Sequence, residues 1–190
     1  GFTDHFIVLC ELEYPAFLRW LDEHGDGCVR VNTGQDLAWL AENEHMLFPD
    51  DSRISAKWFR IVQHTGQRRY HEAANLDAIM LGRRRADGNY VGRSGANHYT
   101  DRHGVTRHSP LADWPHEAIL QYIRNHSIDL PPFYSWRDGY RVGTGPWAKR
   151  RAASVDEGYA AGYEIVPSIV EGAAEYLDSA RTFLRGRGAL

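Results

Sequence analysis

Alternation is what most constrains this chain: short apolar runs are each followed by a turn and then a segment of helical period. Phe6-Ile7-Val8-Leu9-Cys10 is the first run, and five apolar residues in a row predict a strand buried on both faces, as in a parallel sheet. Tyr14-Pro15 then opens a helix with Phe17, Leu18 and Leu21 on its inner face, and His24-Gly25-Asp26-Gly27 stops it. Cys28-Val29-Arg30-Val31 reads as the second strand. Asp36 or Thr33 caps the next helix, which carries Leu37, Trp39 and Leu40. A long helix over 54–74 holds Trp58, Ile61 and Val62 inside, and Ala78-Ile79-Met80-Leu81 is the third strand. This order predicts an α/β fold built on a parallel sheet. In such sheets ligands gather beyond the carboxyl ends of the strands, so the loop after Leu81 is where a site is expected.

From Arg83 to His108 neither a helical nor a strand period is present, which predicts a long structureless loop of the kind that carries function. Order returns at Ser109. Pro115 opens a helix with Ile119, Leu120, Tyr122 and Ile123 inside; Asp113 is expected to cap it and Trp114 to pack under the sheet. Residues 130–134 read as extended, 138–145 as a glycine-punctuated loop, and 155–184 as helix in two pieces around Pro167.

A length of 190 residues with 43% hydrophobic and 25% charged residues is enough for a real core and argues against disorder. Lys and Arg total 22 against 25 Asp and Glu, so the net charge of −3 excludes a globally basic nucleic-acid coat and leaves room for a local patch. No apolar run approaches the roughly 20 residues of a membrane span, and no signal peptide precedes the first strand; the cytoplasm is the expected compartment. Cys10 and Cys28 are the only cysteines. They are not spaced as CxxC, which excludes a four-thiolate metal or iron–sulfur centre within the chain.

The basic residues are arginine except at Lys57 and Lys149, and six of them (Arg83, Arg84, Arg85, Arg93, Arg102 and Arg107) fall between Gly82 and Arg107 against only Asp87 and Asp101. Arginine presents a fixed fork of donors suited to phosphate, sulfate or carboxylate. Gly82 to Arg85 at a strand end would let backbone and guanidinium groups converge on an anion, with Arg93, Arg107 and His108 closing from the far side. His98, His103 and His108 recur every five residues, a spacing that fits no metalloprotease motif, and the surrounding arginines would repel a dication; no metal site is expected. No Gly-x-Ser-x-Gly elbow is present. Tyr90, Tyr99 and Trp147 near the arginines keep a single-stranded nucleic-acid contact open as a further reading.

Leu81-Gly82-Arg83-Arg84-Arg85 with Gly88, Gly104-Val105, Ser109 to Trp114, Ile119 to Ile123 with His126, and Pro132, Tyr134, Asp138-Gly139-Tyr140 and Val142-Gly143-Thr144 form an ordered set. In that order and spacing the chain resembles the phosphoadenosine phosphosulfate (PAPS) reductase family and, more broadly, the adenine-nucleotide α-hydrolase or PP-loop ATP pyrophosphatase superfamily. Ile7-Val8-Leu9 with Glu13 to Phe17 resembles the family's second strand and helix, and Val31 to Leu37 sits where its third strand ends.

The resemblance implies a Rossmann-like parallel sheet over residues 1–150, lacking the first β–loop–α unit, with 151–190 as a helical extension of the same domain. It implies a site for PAPS, adenosine phosphosulfate or ATP in which Gly82, Arg83, Arg84, Arg85, Arg93 and Arg107 meet phosphate or sulfate, and Gly143, Thr144 and Gly145 offer backbone N–H groups. Mg²⁺ would arrive with the nucleotide; the chain itself supplies no cofactor. Catalytic residues stay unassigned.

Two departures shape the expected chemistry. The family's Ser-Gly-Gly-x-Asp-Ser phosphate loop is absent, so the chain is a trimmed piece, or receives the loop from a second chain or another copy, or has lost catalysis. No cysteine follows Cys28, which argues against thiol-dependent reduction and leaves ATP pyrophosphatase or sulfur-transfer chemistry. A non-catalytic binding or assembly module is the rival reading.

Overall fold

The computed structural model describes residues 4–137, 139, 143–148 and 153–190, which fall into two compact units. The first joins residues 1–70 to 131–190; the second is residues 71–130.

In the first unit, strand β1 (His5–Leu9) pairs in parallel with β2 (Cys28–Asn32), His5 opposite Cys28 and Leu9 opposite Asn32. The crossover is helix α1 (Pro15–His24), which has Pro15 in its first turn and buries Phe17 and Leu21. Thr33 ties the two strand ends together, its N–H and hydroxyl both donating to the Leu9 carbonyl at 2.9 and 3.1 Å. Asp36, one of the two expected caps, accepts from the Trp39 N–H at 2.7 Å and starts α2 (Leu37–Glu42).

The expected long helix is α3 (Ser52–Phe59), a π-turn over Arg60–His64 and α4 (Thr65–Ala74) in one run. It lies on β1 where Gly66 meets Val8 so closely that a methyl at Gly66 would overlap the valine side chain. The opposite face of β1 is covered too, with Ile7 packed on Tyr14, Phe17 and Phe133. Both faces of β1 are therefore buried as its sequence predicts. Its second edge bears no strand among the described residues.

The C-terminal helices are α6 (Val155–Ile165), α7 (Pro167–Ala173) and α8 (Asp178–Gly186), three pieces rather than two. The extra break after Ala174 turns Leu177, fully buried, into a core shared with Leu40, Met46, Phe48, Tyr159, Val170 and Leu184. Ser154 caps α6 by accepting from the Glu157 N–H, and the Glu157 side chain accepts in turn from the N–H of Ala153, one residue before the cap. Residues 132–135 form a tight 3₁₀ turn rather than an extended segment, held by the Ser135 hydroxyl on the Pro132 carbonyl at 2.7 Å.

The second unit carries β3 (Ala78–Met80), β4 (His98–Thr100) and β5 (Thr106–His108) in the order β3-β5-β4. β3 and β5 run parallel, with Met80 opposite His108; β4 and β5 run antiparallel, with His98 opposite His108. The stretch expected to be structureless thus contains a hairpin. Its strands read His-Tyr-Thr and Thr-Arg-His, which lack the apolar alternation that marks a strand in sequence. Helix α5 (His116–Asn125) follows. Among the described residues no helix is long and apolar enough to cross a membrane. The parallel β1–β2 and β3–β5 pairs, set among helices, make the chain an α/β protein.

Candidate functional site

Gly82 leaves the carboxyl end of β3, and the chain then makes a 3₁₀ turn over Arg85–Asp87 that Gly88 ends with φ 76°. Three of the arginines expected at an anion are occupied within this unit. Arg84 grips Asp87 with two parallel hydrogen bonds of 2.9 and 2.6 Å and reaches the Trp114 carbonyl at 3.3 Å. The fork holds the Asp87 carboxyl below the usual carboxylate range. Arg85 donates to Asp113 at 2.8 Å and to the Ala96 carbonyl at 2.7 Å, joining the two ends of the loop.

Arg107 donates to Asp101 at 2.8 Å, and both side chains are largely buried. Burial would raise the Asp101 carboxyl, but Arg107 and the N–H groups of His103 and Val105 outweigh it and hold the group low. The N–H of His103 lies 2.8 Å from that carboxylate. Asp101 therefore closes the β4–β5 turn.

Arg83 donates to the Tyr99 hydroxyl at 3.4 Å, and the Tyr99 ring meets Tyr90 edge to face at 4.8 Å. Arg93 differs from the rest: its side chain is exposed and has no partner among the described residues. The backbone around it is tightly folded. Gly92 has φ 139°, and a Cβ there would lie 2.7 Å from the carbonyls of Ala96 and His98. Gly82 is exposed and a Cβ there would meet nothing, so within the chain no neighbour requires a glycine.

Asp113 does not cap α5. Its carboxylate is drawn to Arg85, and Pro115 stands at the N-cap without a side-chain bond. Trp114 is half-buried with its ring edge-on to Tyr122 at 5.6 Å, against α5 rather than beneath the sheet.

Gly143, Thr144 and Gly145 belong to the first unit and rest on the loop that follows β1. The Thr144 carbonyl accepts from the Tyr14 N–H at 2.7 Å. Gly145 is held so near this loop that a Cβ would lie 2.8 Å from the Leu12 carbonyl. Burial pushes the Glu13 carboxyl up, against the Thr144 hydroxyl and Cys10 N–H that favour its ionised form. Cys10, with Sγ 3.8 Å from Glu13, is pushed up to about 12 by burial and by that neighbouring carboxylate. A thiol in that state is no nucleophile near neutral pH. Asp138 and Tyr140, named with the second loop, lie outside the described residues.

The arginine loop thus lies wholly in the second unit and the glycine segment wholly in the first. Sequence reasoning missed the bracing role of Asp87, Asp101 and Asp113. Only Asp87, three residues from Arg84, left a local signal. Among the described residues no three His, Cys, Asp or Glu side chains gather as a metal centre would require.

No curated protein matches the chain. A crystal structure of PAPS reductase from Candida auris, in a phosphate complex, is similar over 68% of this chain and 63% of that one, at 14% identity and a TM-score of 0.49. The chain thus spans under two thirds of that reductase. The model of the phosphoadenosine phosphosulfate reductase domain matches residues 17–146, more than half of the sequence and all of the arginine-bearing second unit. By that match the chain belongs to the phosphoadenosine phosphosulfate reductase domain family.

Proposed function

We propose that this domain binds an adenine nucleotide (PAPS, adenosine phosphosulfate or ATP) through the loop after β3. The observation that carries the reading is the difference in state among the arginines. Arg84, Arg85 and Arg107 are consumed in bracing the loop, while Arg93 is exposed and its guanidinium has no partner among the described residues. A braced loop costs little to order on binding, and an unpaired guanidinium is free to meet a phosphate or sulfate. Arg83, beside Tyr99, is the second contact in this reading.

Chemistry of the ATP-pyrophosphatase or sulfur-transfer type would need a phosphate loop from outside these 190 residues or from a second chain. The edge of β1 that bears no strand among the described residues, on a strand otherwise covered on both faces, supports an added strand there. Mg²⁺ would come with the nucleotide phosphates.

The rival is a binding or assembly module without turnover. It is favoured by the unreactive Cys10 thiol and by the number of arginines already paired.

Isothermal titration with ATP, adenosine phosphosulfate and PAPS, each with and without Mg²⁺, tests the reading. Arg93→Ala should weaken binding about tenfold or more, the cost of one charge-assisted hydrogen bond. No binding by any of the three to folded protein overturns it. Binding without release of pyrophosphate or sulfite favours the module.

A further inference from the structure

Two tyrosines of the second unit, Tyr90 and Tyr99, stand among its arginines, and the nucleotide reading gives neither of them a role. Tyr90 is 52% exposed while its neighbour Val91 is 1% exposed, so the chain turns the valine inward and leaves the larger ring in water. The ring is held there: it meets Tyr99 edge to face at 4.8 Å, and the Tyr99 hydroxyl accepts from Arg83 at 3.4 Å. An edge-to-face contact covers at most one face of Tyr90. A pinned ring with an open face is a stacking surface that loses little freedom when a planar group settles on it. Trp147, which the sequence places with these tyrosines, is 4% exposed in the core of the first unit and takes no part.

An exposed cation follows each tyrosine. Arg93, three residues after Tyr90, opens a tight turn: the Ala96 N–H donates to its carbonyl at 2.8 Å, and Ser94 and Gly95 are both left-handed, with φ 48° and 80°. Arg102, three residues after Tyr99, is exposed and donates through Nε to His103 at 3.1 Å. Three residues of chain span at most about 11 Å, so the Cα of each arginine lies within that distance of its tyrosine's.

The carboxylates of this stretch are all engaged, Asp87 by Arg84, Asp101 by Arg107 and Asp113 by Arg85. From Gly82 to Asp113 six arginines stand against these three aspartates, a net +3 within a chain of net −3. A phosphate arriving here meets positive charge, and the acids that would repel it already have partners.

We propose that the arginine loop and the β4–β5 turn bind single-stranded nucleic acid, with one base stacked on Tyr90 and phosphates on Arg93 and Arg102. Bases and phosphates alternate along such a strand, and stacking with charge accepts every base, so binding is independent of sequence. In a duplex the bases are stacked on one another, so the ring adds affinity only for unpaired strands. The proposal does not rest on the nucleotide reading, with which it shares Arg93 as a contact.

The test is fluorescence anisotropy of labelled twelve-nucleotide oligothymidylate and oligouridylate titrated with the full chain, from about 50 to about 200 mM salt. The parent should bind with a Kd of about 1–100 μM at the lower salt. Tyr90→Ala and Tyr90→Leu should each weaken binding about tenfold, and Tyr90→Phe should stay within about twofold of the parent. Arg93→Ala and Arg102→Ala should each reduce the slope of log affinity against log salt by about 0.7, one phosphate apiece. Binding of a duplex of the same length should be insensitive to Tyr90→Ala. Circular dichroism checks each fold, and leucine keeps the apolar contact with Tyr99 that alanine removes. Tyrosine-dependent binding of either strand supports the proposal, and the tighter of the two identifies the sugar preferred. No binding by the folded parent overturns it, as does a single-strand affinity that Tyr90→Leu leaves unchanged, or a salt slope that both arginine variants leave unchanged.

Discussion

At the scale of single residues, Asp101 is one of the main braces of the second unit. One carboxylate accepts from Arg107 and from two backbone N–H groups of its own turn. Removing it would leave a largely buried guanidinium and two turn donors short of an acceptor. Asp101→Ala should therefore cost about 1–3 kcal/mol, read as a lowered urea midpoint. Because the folded carboxyl is held below its ordinary value, its contribution is complete above the unfolded pKa of about 4 and is lost as pH falls through the lower folded value. The parent should thus lose stability between about pH 4 and more acid solution, and Asp101→Asn should show a flatter acid limb. None of this was legible at Arg107 itself, whose partner stands six residues earlier across a turn that apolar periodicity cannot reveal. Arg85 and Asp113, 28 residues apart, were beyond any local rule.

Elements were legible in proportion to their apolar content. β1 stands where five consecutive apolar residues place it, and the 54–74 helix, apart from its wide turn, lies where Trp58, Ile61 and Val62 predict. The β4–β5 hairpin escaped because its strands are built from His, Tyr, Thr and Arg, and are specified by a carboxylate-capped turn. The contact between the α3–α4 run and β1 is legible only in three dimensions. Gly66 lets the helix touch Val8, so Gly66→Ala must push helix and strand apart, at an expected cost of about 1–3 kcal/mol. A fall in thermal midpoint checks this. An unchanged midpoint would mean that the valine can turn aside without loss.

At the scale of the whole molecule the two units are unequally endowed. The first buries a large cluster that runs from Val8 through Leu40 and Tyr159 to Leu184. The fully buried apolar side chains of the second are few and small: Ile79, Val91, Val105 and Ala112, with α5 burying none. Apolar burial is the main favourable term in folding, so the second unit should open at lower free energy. Amide hydrogen exchange should release Ile79 and Arg107 before Leu40 and Tyr159. Equal protection of both sets would contradict the inequality. The sequence carried the α/β class and the location of the arginines, but not this division, because the residues that complete the first core lie on both sides of the second unit.

That interleaving sets an order on synthesis. A ribosome delivers residues 1–70 before residues 71–130, and Val170, Leu177 and Leu184, which seal Leu40 and Met46, emerge after both. In between, residues 71–130 are complete in themselves, with every strand partner within reach. The second unit, though weaker, can mature while the stronger one waits with its apolar surface bare. The nascent chain is most exposed to aggregation and to chaperones until residues 170–184 have emerged.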